Sequence, residues 1–584
     1  MIRFLKYLFS LVLFNVAQAQ SPSDAIRLNQ VGFYPAAPKV AVMVNAPVGE
    51  FVLKSKKDNK VVFKGKLSES TRSPFSEKTT RVADFSAFQK AGNYYLEVPS
   101  TPDGSTSYPF EIKEKVHEGA AKASIKGFYY QRLGIPLDEK YAGKWARPAG
   151  HPDTQVLVHP SAASAERPAG TVLSSPLGWY DAGDYNKYIV NSGITMGTLL
   201  SAYEDFSRYY DKLNLNIPES TNQVPDLLDE VLWNLRWMLT MQDPHDGGVY
   251  HKLTNASFDG MVMPHQATKP RYVVQKSTAA ALDFAAVLAQ AARVYRPFDQ
   301  ALPGLADSCL LAAKQAWTWA QKYPNVLYDQ AAINKEFDPD IATGTYGDRH
   351  VADEFIWAAS ELYLTTRDDA YYRAVNLFPD ENMPLPAWPQ VRLLGYYSLL
   401  RFRDKLTPVA QKDVAELQKR MIQFADQLLE GTSTHFLRTV MGHKASDFAW
   451  GSSSVAANQG IVLVQAYRLT QQPKYLQGAL SNLDYLLGRN GTGYSFLTGF
   501  GGKQVMHPHH RPSVADGLAE PVPGLLSGGP NPGKQDKCTT YTSDVPDEAF
   551  TDDDCSYASN EIAINWNAPF VYLAGALEAI SFKK

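Results

Sequence analysis

The sequence is poor in cysteine, carries no excess of charge of either sign and, beyond its N-terminus, has no apolar run long enough for a bilayer. Three cysteines in 584 residues cannot supply a disulfide scaffold. Basic residues number 57 against 60 acidic ones, a net charge of -3, so there is no basic field for nucleic acid and no acidic tail at either end. The expected partner is therefore uncharged. No later segment approaches transmembrane length, so no membrane span is expected. No low-complexity linker divides the chain, which favours domains packed together over domains on a tether.

The N-terminus supplies an export signal. Arg3 and Lys6 precede an apolar run from Tyr7 to Phe14, and Ala17-Gln18-Ala19 follows as a small-residue cleavage pattern. Residues 1–19 are expected to be removed, leaving Gln20 first. The run is too short for an anchor and no lipid-accepting Cys follows, so the expected destination is periplasm, cell surface or medium. In that oxidising setting Cys538 and Cys555 lie close enough in sequence to staple one loop. Cys309, inside the helical run from Ala306 to Lys322, reads as a buried thiol.

A chain of 584 residues exceeds one ordinary core, so a small domain beside a large one is expected. Residues 24–113 hold short β-rich runs. Phe51 to Lys54 and Val61 to Lys64 flank the turn Lys57-Asp58-Asn59, Asn93 to Val98 alternates, and a last strand falls near Phe110 to Ile112. Size and strand spacing predict an immunoglobulin-like β-sandwich. Residues 115–584 turn helical. Leu227, Leu228, Val231, Leu232, Leu235, Met238 and Leu239 repeat at 3.6 spacing after Val224-Pro225, and Ser277 is placed to cap an Ala-rich helix through Tyr295. Further runs cover Val351 to Leu364, Val414 to Leu429, Ser454 to Leu469, Lys474 to Leu487 and Asn560 to Ile580. The chain is thus mainly α, with about a dozen helices joined by long Gly- and Pro-rich loops where sites are expected. Its 32 Tyr and 10 Trp offer flat faces suited to sugar rings, although a core uses the same residues.

Three stretches concentrate chemistry. In Gly178-Trp179-Tyr180-Asp181-Ala182-Gly183-Asp184-Tyr185, two carboxylates three apart can converge on one water, one orienting it and the other taking its proton, with Gly allowing a tight turn between them. An acidic turn or a calcium loop would leave the same trace. Phe550 to Ala568 holds Asp552, Tyr557, Asn560, Glu561, Trp566 and Asn567, with Glu561 expected to begin an apolar helix, Ile562 to Ala579. Desolvation there raises a carboxyl pKa toward the range of a proton donor, the helix N-terminus favours the anion, and a plain capping Glu fits the same pattern. In Met506-His507-Pro508-His509-His510-Arg511 the proline enforces an extended path that turns His507 and His509 one way and His510 the other. No paired Cys or acidic ligand stands at metal spacing and Arg511 would repel a cation, so hydrogen bonding to sugar hydroxyls fits better than zinc.

Together these stretches resemble glycoside hydrolase family 9, the cellulase family of the (α/α)6 barrel. Ser495 to Lys503 through Pro508-His509-His510-Arg511 is similar to the family's histidine signature. Phe550-x-Asp552, Tyr557, Glu561, Ala563, Asn567 and Ala568 resemble its acid signature, and Asp181-Ala182-Gly183-Asp184 its base motif. Leu28-Asn29-Gln30-Val31-Gly32-Phe33-Tyr34-Pro35 is similar to the start of the immunoglobulin-like domain found in one branch. The resemblance implies Glu561 as general acid, Asp184 as general base and Asp181 as holder of the attacking water. It implies sugar contacts from His509, Arg511 and Trp450, with Tyr557, Trp566 and Tyr180 as further substrate-binding candidates. Inversion requires the carboxyl groups of Asp184 and Glu561 to stand about 6.5–9.5 Å apart, with room for a water.

The implied activity is an inverting endo-β-1,4-glucanase acting on cellulose or a related β-glucan. An exo-acting or xyloglucan-directed member of the family is the nearest alternative, and a non-catalytic carbohydrate-binding protein is the alternative of another class. The chemistry requires no cofactor, and a monomer is the favoured state. Two departures stand out. Trp566 occupies a position where many members carry Tyr. Tyr346 to Glu354 is similar to the part of the family that binds structural calcium, with Asp353 and Glu354 as ligands, yet Trp388-Pro389-Gln390 lacks the usual later Asp.

Overall fold

The computed structural model describes residues 22–101, 104–580 and 582. The export signal expected at residues 1–19 lies outside them. The N-terminal module is a two-sheet sandwich. One sheet orders Ile26–Arg27, Val40–Val44, Thr79–Asp84 and Thr71–Arg72, and the other orders Gly32–Phe33, Phe110–Ile112, Gly92–Glu97, Glu50–Ser55 and Val61–Lys66. Alternation sends Phe51, Leu53, Phe85, Tyr94, Leu96 and Phe110 inward to one core. Gly32 has φ +147°, and a Cβ there would stand 2.2 Å from the Glu111 carbonyl oxygen, so only glycine lets these strands pair.

The segment from Asn29 to Tyr34 also fastens the sandwich to the helical domain. Asn29 Nδ2 donates to Asp484 at 2.8 Å, Gln30 Nε2 to the Gly493 carbonyl at 2.8 Å, and Tyr34 donates its hydroxyl to Glu578 at 2.7 Å. The family resemblance of this segment thus coincides with the packed interface that the absence of a linker predicts.

The helices Ile189–Tyr210, Thr278–Tyr295, Ala352–Thr366, Arg392–Arg401, Ser452–Thr470 and Ile564–Ala579 are each buried along most of their length. Amphipathic helices alternate with them along the chain. Val414–Leu429, for example, buries only Leu417, Met421 and Ala425, one narrow stripe at four-residue spacing. Such alternation, an inner ring inside an outer one, is the (α/α)6 barrel. Alanine permits the close inner packing, and Ser277 caps its helix by accepting from Ala280 N at 3.2 Å.

Two features depart from the sequence reading. The last helix begins at Ile564, not at Glu561. A small sheet of two- to four-residue strands, Val172–Leu173, Val156–Val158, Arg271–Val273, Lys252–Asn255 and Lys187–Tyr188, lies within the helical domain. Strands this short show no readable period, and they support the base loop. Cys538 and Cys555 are joined as a disulfide, and Cys309 is a buried thiol. Among the described residues no helix is long and apolar enough to cross a membrane.

Candidate active site

Backbone hydrogen bonds draw the three stretches into one floor. Ile564 N donates to the Asp181 carbonyl at 2.9 Å, Arg511 N to the Gly183 carbonyl at 3.2 Å, and His509 N to the Asn560 carbonyl at 3.0 Å. His509 and Glu561 form a parallel bridge, and Ala182 pairs with Ala563. Gly183 is required by this crossing. A Cβ there would stand 2.1 Å from the His509 carbonyl oxygen, so close approach, and not a tight turn, explains the glycine between the two acids.

Asp181 is buried with both oxygens engaged, accepting from Asn191 Nδ2 at 2.7 Å and from the Tyr346 hydroxyl at 2.7 Å. Burial, and then the neighbouring Asp184, push its pKa up to about 8. Asp184 is treated asymmetrically. Oδ2 accepts from Asn186 Nδ2 at 2.6 Å, Asn186 N at 3.2 Å and the Tyr188 hydroxyl at 3.2 Å. Among the described residues none donates to Oδ1, which leaves that oxygen with its lone pairs free.

Glu561 stands on the extended segment ahead of the last helix, so the expectation that it opens that helix is corrected, and with it the helix-terminus argument for its charge. Its pKa lies well above the usual carboxyl range, first through burial and then through Asp184, while Arg511 and the Gly183 N–H pull the other way. Desolvation wins. A carboxylic acid that keeps its proton, beside a carboxylate with one free oxygen, has the composition of an acid–base pair.

The three histidines separate. His510 is buried between Gln131 Oε1 at 3.0 Å and Ser513 Oγ at 2.8 Å, His507 is exposed, and His509 Nδ1 meets the Asp554 carbonyl at 2.6 Å. They do not converge as metal ligands. Arg511 is buried, donating to the Gly183 carbonyl at 2.7 Å and the Asp259 carbonyl at 3.0 Å, so it braces the base loop against the loop after Asn255. Trp450 is 45% exposed with its ring 5.5 Å from that of Tyr557, which lies 6.0 Å from His509, forming an open aromatic ledge.

Two candidates are corrected. Tyr180 has no exposed surface and its hydroxyl is spent on His151 Nδ1 at 2.9 Å, so it cannot meet a ligand. Trp566 is 8% exposed and packs with Ala182 and Ala563 against Gly451, which commits most of the ring to packing. The sequence reading missed Asn186, Tyr188 and Asn191. Their signal was proximity, since Asn186 and Tyr188 lie two and four residues beyond Asp184, the spacing that keeps side chains on one face of an extended strand. Tyr346, placed by resemblance near calcium, reaches Asp181 instead.

Around Asp353 and Glu354 stand further buried acids, but among the described residues no three of these side chains bring ligand oxygens within 4.8 Å of one another, so they are not gathered around one ion. Glu354 and Asp283 are fully buried with all four carboxylate oxygens lacking hydrogen-bond partners, and Asp348 Oδ2 also lacks one. Asp353 Oδ2 accepts from Val391 N at 2.7 Å. Buried anionic oxygens without donors call for a proton or a cation. Elsewhere Asp553 approaches Cys538 and Cys555 within 4.8 Å, but the disulfide leaves those sulfurs no thiolate to ligate with.

Residues 117–574 match the family model described as glycosyl hydrolase family 9, and residues 21–102 match the cellulase N-terminal Ig-like domain. The chain belongs to glycosyl hydrolase family 9. A xyloglucan-specific endo-β-1,4-glucanase from Bacteroides ovatus is 47% identical, over 96% of this chain and 94% of that protein. Endoglucanase D of Acetivibrio thermocellus is 34% identical, over 94% of this chain and 83% of that protein. A solved Bacteroides ovatus family 9 structure superposes with a TM-score of 0.91 at 46% identity, over 96% of this chain and all 100% of that one. The family 9 chain is accordingly a glycoside hydrolase.

Proposed function

We propose that this family 9 enzyme is an inverting endo-β-1,4-glucanase whose preferred substrate is a branched β-glucan of the xyloglucan type. Glu561 protonates the glycosidic oxygen. A water held between sugar and base gives its proton to Asp184 Oδ1, with Asp181 helping to orient that water, and attacks the anomeric carbon from the face opposite the leaving group. The asymmetry of Asp184 carries the reading: one oxygen fully held, the other free, beside an acid that burial keeps protonated. His509, Tyr557 and Trp450 border the cleft as sugar contacts, and Arg511 fixes the loop that bears the base. The xyloglucan preference is favoured by the Bacteroides ovatus relative, described as specific for that polymer and aligned over 96% of this chain.

No cofactor takes part in the chemistry. The enzyme acts outside the cytoplasm after loss of residues 1–19, with the sandwich at about residues 24–113 buttressing the barrel. A purified-enzyme screen on xyloglucan, mixed-linkage glucan and cellulose tests the substrate, with rapid viscosity loss expected on xyloglucan. Release of only mono- or disaccharides from chain ends would favour the exo-acting alternative. Binding with no product on any polymer would sink the catalytic reading.

A further inference from the structure

Asp184 lies among several other ionisable groups. Asp181 shares its loop and Glu561 faces it from the adjoining segment, both carboxyl groups. The Tyr188 hydroxyl touches it and Tyr346 bonds Asp181, while His509 and the Arg511 guanidinium line the crossing strand. Behind this array stands Lys252, fully buried and paired with Tyr188 across the two-stranded ladder. Its Nζ lies 2.7 Å from Gln330 Oε1, 2.6 Å from the Gly344 carbonyl and 3.1 Å from Thr343 Oγ1, with the rings of Tyr188 and Tyr328 at 5.6 and 5.4 Å. His251 is its chain neighbour, stacked on Tyr328. Burial pushes the Lys252 pKa well below the ordinary lysine value, and the charge of Asp184 opposes that shift. Two of the three oxygens can only accept, and three acceptors match the three N–H donors of an ammonium.

A directed chain of hydrogen bonds joins that cation to Asp184. Thr343, accepting from Lys252, has its proton for Thr254 Oγ1 at 2.6 Å. Thr254 has its proton for Asn186 Oδ1 at 3.1 Å, with the Asn255 carbonyl as a competing acceptor at 2.9 Å. Asn186 Oδ1 also accepts from Asn255 N at 2.9 Å, which fixes the amide so that Nδ2 must face Asp184 Oδ2, 2.6 Å away. Each link polarises the next in a dry interior.

We propose that Lys252 is a positioning residue for the base: through Thr343, Thr254 and Asn186 it fixes Asp184 Oδ2 under permanent donors and keeps the carboxylate ionised, so that Oδ1 is the oxygen that takes the proton from water. This rests on Asp184 being the base. Removing the cation destabilises the anion, so the acid-side limb of the kcat profile moves upward.

The test is the pH dependence of kcat and KM on a soluble β-glucan for Lys252→Met, Thr343→Val and Thr343→Ser, with Asp184→Asn beside them. The expected result is a rise of the acid-side limb by roughly one pH unit in Lys252→Met and by less in Thr343→Val. KM should stay within about twofold of the parent, as positioning without substrate contact requires, and Thr343→Ser should restore the parent profile. Should Lys252→Met fail to fold, Thr343→Val decides. A limb fixed at the parental pH in the folded variants, including one with kcat lowered equally at every pH, overturns the relay. Ordinary turnover by Asp184→Asn overturns the base assignment itself, a separate failure.

Discussion

Glu204 and Asp205, at the far part of the helix Ile189–Tyr210, share one barrel with Asp181, Asp184 and Glu561, but the two sets of carboxyl groups live in opposite electrostatic company. Glu204 accepts from Arg293 Nε at 2.8 Å and Arg401 Nη1 at 3.0 Å, and Asp205 from Arg401 Nε at 2.6 Å, with Arg468, Gln465 and the Tyr572 hydroxyl also donating to it. Guanidinium outweighs burial there, so both pKa values fall, that of Asp205 to about 2. At the candidate active site burial raises Asp181 and Glu561, and the charge of Asp184 adds to both shifts. One set is a fixed anionic joint between inner helices. Among the described residues no lysine or arginine hydrogen-bonds directly to the carboxyl groups of the other set, and that difference lets it trade protons.

The contrast breaks most visibly in activity. Glu561→Gln and Asp184→Asn should each lower kcat by about a thousandfold, the scale of general acid or base catalysis, without lowering the melting temperature, because each puts a neutral isostere in place of a buried carboxyl group that has no ion-pair partner to lose. Steady-state kinetics beside calorimetry reads both. Arg401→Leu should do the reverse. It takes one of two guanidinium partners from each of two buried anions and should cost about 3 kcal/mol in stability by denaturant titration, while kcat per folded molecule holds.

Opposite pH senses sharpen the comparison further. Asp181 is raised from an unfolded value of about 3.9, to about 8 when folded, so the native state holds a proton that the unfolded chain releases. Stability from this group is complete below about pH 4 and is lost as pH rises through about 8. Asp205 works the other way, contributing above about pH 4 and failing as pH falls toward about 2. Melting temperatures should therefore show Asp181→Asn gaining on the parent steadily between pH 4 and 8, and a flat difference would refute this account of Asp181. The smallest effect belongs to Trp450→Ala. Losing one exposed stacking face worth about 1 kcal/mol should raise KM on polymer several-fold and leave kcat near its parental value.

The outline of this molecule was legible wherever a periodic pattern ran long. Val414 to Leu429 was bounded correctly because its stripe and polar face are both present over 16 residues, and Ser277 announced a cap that forms. The sandwich strands Glu50–Ser55 and Gly92–Glu97 were visible for the same reason. Asp181, Asp184, Glu561 and His509 stood out as chemistry on short segments and do meet. What stayed hidden is non-local. The sheet bearing Lys187–Tyr188 and Lys252–Asn255 has strands too short for a period. Lys252 and Thr343 reach Asn186 only through the folded chain, and Glu561 was assigned to the last helix because Asn560 to Ile580 reads as one apolar run. Tyr180 and Trp566 show the converse error, since adjacency to reactive residues says nothing of which aromatic face remains open.

The central claim is a single displacement between Glu561 and Asp184 Oδ1, and it is tested most directly by following the first product anomer by proton NMR while the enzyme cleaves a soluble β-1,4-glucan in D2O. The account predicts that the α-anomer appears first and then mutarotates. A β-anomer as the initial product would contradict it and require one of these carboxylates to act as a nucleophile.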